Sequence, residues 1–177
     1  MTPAPPLWKR PVDAFYFAFF ALHLIASLCV DIQGLVPARF VPAVFRDVLA
    51  DYLERSADPL LPHAWAPRYA WMRMALLSEF VLQVPAFVLG LYALWTNDKR
   101  AYPVLVAYGA IACFTTLQCI AMVTVGEERQ LLSSAHVRFL LQNYVPFMVI
   151  PGLLCIDMVV RTARLLPAPR TAHAKAA

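Results

Sequence analysis

Apolar residues run along this chain in four long stretches separated by polar connections. The stretches cover Val12–Val36, Tyr69–Trp95, Ala101–Gly126 and Val137–Val160. At 1.5 Å of helical rise per residue, each reaches across the ~30 Å hydrocarbon layer of a bilayer. A membrane barrel would need segments of about ten residues with alternating polarity, and these runs are longer and continuous. The pattern therefore predicts an all-α membrane protein, a four-transmembrane-helix bundle. Ala14–Val30, Ala101–Gly126 and Phe139–Ile156 are uncharged, whereas Glu79 lies well inside the second run. The alternative for the first run is a cleaved secretory signal, since Lys9 and Arg10 precede it. Against that, the run is long and aromatic, and no Ala-x-Ala site follows.

Pro37 is expected to end the first helix, because it lacks an amide donor and restricts the residue before it. The connection from Ala38 to Pro67 is too long to be structureless in a compact protein. Within it, Val44, Phe45, Val48, Leu49, Tyr52 and Leu53 recur at helical spacing. Arg46, Asp47, Asp51, Glu54 and Arg55 lie between them, and Pro42 stands at the start. This predicts a short amphipathic helix whose apolar face lies either on lipid or over the mouth of the bundle. Asp58-Pro59 then makes a turn. The segment Thr96–Arg100 is short and polar, so the second and third helices are antiparallel neighbours. Residues 1–11 read as a Pro-rich, unstructured lead, residues 12–160 as the transmembrane domain and residues 161–177 as a tail.

Composition strengthens this reading. Of the 177 residues, 61% are hydrophobic and 15% charged, with a mean hydropathy of +0.62. Soluble domains are about 45–50% apolar and about 25% charged. The net charge of +4 is spread over the flanks of the spans, and no basic cluster suggests nucleic acid. Eight basic residues, including Lys9, Arg10, Lys99, Arg100, Arg161 and Arg164, lie on the side of the termini against seven on the other. The positive-inside rule then makes the termini cytoplasmic and the long connection non-cytoplasmic. Trp8, Trp71, Trp95 and Tyr102 fall near span ends, as an interfacial belt requires. Cys29, Cys113, Cys119 and Cys155 are each inside a span, where they act as small hydrophobes. No Gly-rich phosphate loop, nucleophile elbow or internal repeat is visible, and no cofactor is implied.

The candidate chemistry comes from polar residues inside the spans. Measured from the surface bearing the long connection, Asp31 and Tyr144 lie roughly 9 Å deep, and Glu79, Thr115, Thr116 and Gln118 roughly 13–18 Å. All four helices thus put polarity in the same half. A charge facing lipid at mid-depth costs about 2.5–3.5 kcal/mol, so such groups turn inward to a pocket. Two carboxyls close together in low dielectric do not both ionise cheaply, so one proton is shared between them. Such a site suits a cation or a hydroxyl. Glu79 and Gln83, four residues apart, are expected on one face, with Pro85 loosening the backbone beyond them. Simpler readings stand beside these. Asp31 could snorkel to the interface, Asp58 could serve only its turn, and Asp157 with Arg161 could be a surface pair. His23 reads as a hydrogen-bonded interior group, since no second ligand stands at zinc spacing.

Several segments carry a resemblance. His23 to Asp31 with Gln33 and Pro37, FRDVL at Phe45–Leu49, DPLL at Asp58–Leu61, SEFVLQVPAF at Ser78–Phe87 and NYVPFMVIP at Asn143–Pro151 together resemble the EXPERA (emopamil-binding protein) superfamily, in particular its sigma-2-receptor-like branch. The resemblance covers residues 12–160. It implies a four-helix protein of the endoplasmic-reticulum membrane, commonly a homodimer, with an occluded pocket for sterols and cationic amphiphiles. It further implies that Asp31 pairs with a ligand amine, that Asp58 hydrogen-bonds and orients Asp31, and that Glu79, Gln83, Thr116 and Tyr144 line or support the pocket beside His23. The chain departs from the isomerases of that group in having Ser27, not glutamate, one turn after His23. Phe147 stands where the receptor branch has tyrosine, and the tail keeps one lysine, Lys175, of a dilysine retrieval signal.

Three function classes follow. One is a protein that binds a sterol or amphiphilic amine and regulates lipid handling or the trafficking of a membrane-protein partner. Another is a sterol Δ8–Δ7 isomerase in which Asp31, Asp58 and Glu79 exchange protons with the double bond. The last is a non-catalytic escort whose buried acids only hold helices together. The first is favoured.

Overall fold

The computed structural model describes residues 5–167. Among these, the α-helices are α1 (Pro11–Cys29), α2 (Ala43–Ser56), α3 (Ala70–Ser78), α4 (Val84–Thr96), α5 (Tyr102–Thr124) and α6 (Ser134–Leu165), and no strand is present. Short 3-10 turns occupy parts of the connections. Four stretches are long and apolar enough to cross a membrane: Pro11–Gly34, Pro67–Thr96, Lys99–Thr124 and Ser134–Leu165. Their outer faces leave Ile25, Val81, Phe114 and Ile156 between 60% and 65% exposed, a surface that lipid covers and water would not.

Packing divides the bundle into two cores. In one, Phe20 of α1 fits against Phe87 and Tyr108, with ring centroids 6.1 and 5.0 Å away, above the fully buried Leu105, Leu154 and Met158. In the other, Leu60, Leu61 and Ala64 of the long connection pack on Met72, Leu76, Val123 and Leu140. Close approach of α5 to α6 depends on Gly109. A Cβ there would stand 2.5 Å from the Pro151 carbonyl and 2.9 Å from Cys155 Cβ.

Three expectations change. The first helix does not run to Pro37. It ends at Cys29, and Asp31–Gly34 forms a tighter 3-10 turn. The Gln33 amide explains the break, since Nε2 donates to the Cys29 carbonyl at 2.5 Å and to the Phe45 carbonyl at 2.7 Å. A side chain thus takes a carbonyl at the helix end and ties the turn to α2. The lead is not wholly unstructured either, because Leu7–Lys9 forms a 3-10 turn and Leu7 is buried. Finally, Asp157 and Arg161 do more than pair at a surface. Arg161 also reaches Asp13 of α1 at 2.5 Å, and Asp13 meets Arg10 at 2.5 Å. Arg10 in turn donates to the Leu94 carbonyl at 2.6 Å, so the network joins α1, α4 and α6. The retrieval signal expected around Lys175 lies outside the described residues.

Between α5 and α6, Glu128 is fully buried and accepts a hydrogen bond from Arg68. Burial alone would raise its carboxyl. Hydrogen bonds from its own amide, Tyr69 and Arg68, with the Arg68 charge, outweigh burial and hold it below the usual glutamate range. A depressed carboxyl stabilises the fold above its unfolded value and loses that contribution as pH falls through its folded value. Glu128→Gln is therefore expected to lower Tm at neutral pH and to flatten the fall of Tm below about pH 4.5. Parallel acid limbs in the two proteins would refute this.

Candidate functional site

A cavity of about 190 Å³ lies between α1, α3, α5 and α6. Tyr52 of α2 and the turn at Asp58 close it on the side of the long connection. Asp31, Asp58 and Glu79, from three separate parts of the chain, all face it. Met72, Leu76, Cys119 and Phe147 make much of the remaining wall.

The three acids are held differently. Asp58 is 5% exposed and accepts three hydrogen bonds, from Tyr52 Oη at 2.9 Å, Tyr144 Oη at 2.8 Å and the Leu60 amide at 2.7 Å. The Leu60 bond is the side-chain turn expected of Asp before Pro, while the phenols bring α2 and α6 to the same carboxyl. Burial, and then the Asp58 charge, pushes the Tyr52 phenol up, so it stays a donor. Glu79 accepts a hydrogen bond from Ser27 Oγ on α1. Asp31 receives no bond from an N–H or hydroxyl among the described residues, and its carboxyl is within hydrogen-bonding reach of Glu79. On the far side of Glu79, His23 Nε2 stands 4.0 Å from Oε1, and His23 Nδ1 shares a hydrogen bond with Tyr108 Oη at 2.9 Å.

The backbone explains why Glu79 reaches inward. Pro85 has no amide to donate, and the turn before it widens into a π-turn over Glu79–Gln83. The geometry is therefore set by a local break between α3 and α4.

Comparison with known proteins agrees with this architecture. The family model EXPERA (EXPanded EBP superfamily) matches residues 44–158. The chain belongs to the EXPERA superfamily. It is 27% identical over 163 residues to Sigma intracellular receptor 2 of Homo sapiens, covering 87% of this chain and 90% of the receptor. To the Saccharomyces cerevisiae Efficient mitochondria targeting-associated protein 19 it is 26% identical over 154 residues, covering 80% of this chain and 93% of that protein. With four membrane-capable helices, this EXPERA member is a multi-pass membrane protein.

Of the residues singled out from the sequence, this EXPERA chain brings Asp31, Asp58, Glu79, His23, Thr116 and Tyr144 to one cavity. Gln83 is buried but stands outside the cavity wall. It was expected to line or support the pocket from the face of Glu79, and it packs instead in the protein interior beyond the cavity wall. Nor does Asp58 hydrogen-bond Asp31, since its oxygens are taken by the two phenols and the Leu60 amide. Sequence reasoning missed Ser27, Tyr52 and Tyr108 as partners of the site. Tyr108 could have been found, because it shares a helical face with Ala112, Thr115 and Cys119. Among the described residues no three His, Cys, Asp or Glu side chains are placed to share a metal ion.

Proposed function

We propose that the cavity binds the polar head of a cationic amphiphile or a sterol from within the membrane. In this reading the protein is a non-catalytic binder that regulates lipid handling or a membrane-protein partner, as a homodimer of the endoplasmic reticulum with cytoplasmic termini. One observation carries the reading: Asp31 is the acid left without an N–H or hydroxyl donor, in a cavity with a largely apolar wall. A carboxylate is costly to keep ionised when it faces a low-dielectric cavity beside a second carboxyl, Glu79, with no N–H or hydroxyl donor, and an ammonium or hydroxyl would satisfy it. The resemblance to Sigma intracellular receptor 2 supports the same choice. The test is saturation binding of a labelled amphiphilic amine to the purified protein, with unlabelled sterol as competitor. Saturable binding, displacement by sterol and a rise in Tm at saturating dose are expected. If neither ligand binds saturably, the escort reading replaces this one.

A specific observation favours a second reading, sterol isomerisation. Glutamate is missing one turn after His23, but the structure supplies one across the helices. Glu79 lies 4.0 Å from His23 and accepts from Ser27, the residue at that offset. In an isomerase one acid would protonate the double bond, and a second group would remove the proton from the neighbouring carbon. Incubation with a Δ8-sterol is expected to leave it unchanged. Appearance of the Δ7 product would establish the enzyme reading instead.

A further inference from the structure

A second cavity, of about 290 Å³, lies on the other side of Leu61. It is a cleft between the 3-10 turn at Asp31–Gly34, the helix α2 and the segment around Pro62, with Leu49 and Leu53 on its outer wall. Leu61 lines both this cleft and the acidic cavity. Part of the partition between them is made of side-chain tips. A Cβ on Gly34 would stand 2.8 Å from Leu61 Cδ1 and 2.7 Å from Leu76 Cδ1, so the two leucines rest where glycine leaves room. Methyl groups of this kind move by a rotamer change, whereas a backbone wall would not.

Two further facts say what the cleft suits. The acidic cavity, at about 190 Å³, falls below the roughly 300–1,000 Å³ that encloses a drug-sized ligand. Joined through Leu61, the two spaces enter that range. Two of the polar groups at the rim of the cleft are already engaged. The Gln33 amide is bonded to the Cys29 and Phe45 carbonyls, and the Gly34 carbonyl accepts from Trp65 Nε1 at 2.8 Å. The larger part of the lining is apolar side-chain surface from Leu35, Val36, Leu49, Leu53 and Leu61, fit for a hydrocarbon body.

Resting on the proposed function above, we infer that the cleft is the subsite for the distal, apolar end of the ligand whose amine meets Asp31, and that Leu61 is the residue selecting ligand length. A small amine fills the acidic cavity alone. A rigid, sterol-sized amine displaces the Leu61 side chain and lies across both spaces.

The experiment uses the full chain in lipid nanodiscs and two probes, cyclohexylamine and a 3β-aminosterol, with Asp31→Asn supplying the background of membrane partitioning. Leu61→Trp fills the passage and is expected to weaken the aminosterol at least about tenfold more than cyclohexylamine, whose own cavity Leu61 also borders. Because Leu61 is buried and its replacement could disturb folding, Leu53→Trp on the outer wall of the cleft serves as a second variant, with the same selective loss expected. Retained cyclohexylamine binding shows that either variant is folded. Equal losses for both probes, or no loss for either, would overturn the inference. The latter result would mean that the ligand body lies elsewhere, or that a bilayer acyl chain occupies the cleft. If wild-type protein binds neither probe above the Asp31→Asn background, the binding function itself fails, and that outcome is distinct from the others.

Discussion

Asp31→Asn is expected to weaken binding of an amphiphilic amine by about 100-fold or more, while a neutral sterol loses less than about tenfold. The substitution keeps size and a carbonyl acceptor but removes the acid. An ammonium would then be left in a largely apolar cavity without its counter-ion, and truncating one partner of a buried charge pair costs about 2–5 kcal/mol. A hydroxyl asks less, since asparagine can still accept its proton in a hydrogen bond. The variant also separates binding from folding. Asp58 is anchored by three donors and Glu79 by Ser27, but Asp31 has no comparable N–H or hydroxyl donor among the described residues, so its loss breaks none of these bonds. Tm in the absence of ligand should therefore stay close to wild type. Saturation binding decides the matter: an unchanged amine affinity would remove Asp31 as the counter-ion.

The difference between Asp31 and its neighbours also marks what could be read from the chain. Length and continuity of the apolar runs are enough for four spans, because a bilayer imposes a minimum length and forbids unpaired backbone. Depth was legible too, since position along a regular helix converts directly to distance. Asp31, Glu79, Thr116 and Tyr144 were each placed in one half of the bundle, and one cavity receives them all. Rotation about the helix axis was harder to read. A span that is apolar on every side has no polar face to fix which side turns inward. Pairings that depend on rotation, Ser27 with Glu79 and His23 with Tyr108, therefore needed coordinates. Two local breaks mattered as well. The chain from α3 to α4 passes through a π-turn before Pro85, and the Gln33 side chain ends α1 well before Pro37. Asp58 illustrates a different point, since the turn reading and the pocket reading looked like alternatives. Its Oδ1 serves the Leu60 amide and its Oδ2 the two phenols at the cavity, so serving the turn and facing the cavity are compatible.

That double duty makes Asp58→Ala the most damaging substitution expected for stability, a loss of about 3–5 kcal/mol. Removing the carboxyl strands the Leu60 amide and the hydroxyls of Tyr52 and Tyr144, and each unsatisfied buried group costs about 1–3 kcal/mol. The sum is not strictly additive, because the phenols share one oxygen and water can enter to bridge part of the gap. Single Tyr52→Phe and Tyr144→Phe variants should cost only about 1 kcal/mol each, since the carboxylate keeps its other partners. Asp58→Asn should fall between, as its Oδ1 can still accept from Leu60 while its amide replaces an acceptor with a donor. Unfolding of the four variants in a single detergent tests this ordering, and an Asp58→Ala loss no larger than that of Tyr144→Phe would refute it. The same carboxyl links Tyr52 of α2 to Tyr144 of α6, so the alanine variant should also loosen α2 from the cavity mouth. Ligand affinity should then fall through loss of the enclosing wall, with a faster off-rate for both amine and sterol, whereas Asp31→Asn discriminates between the two.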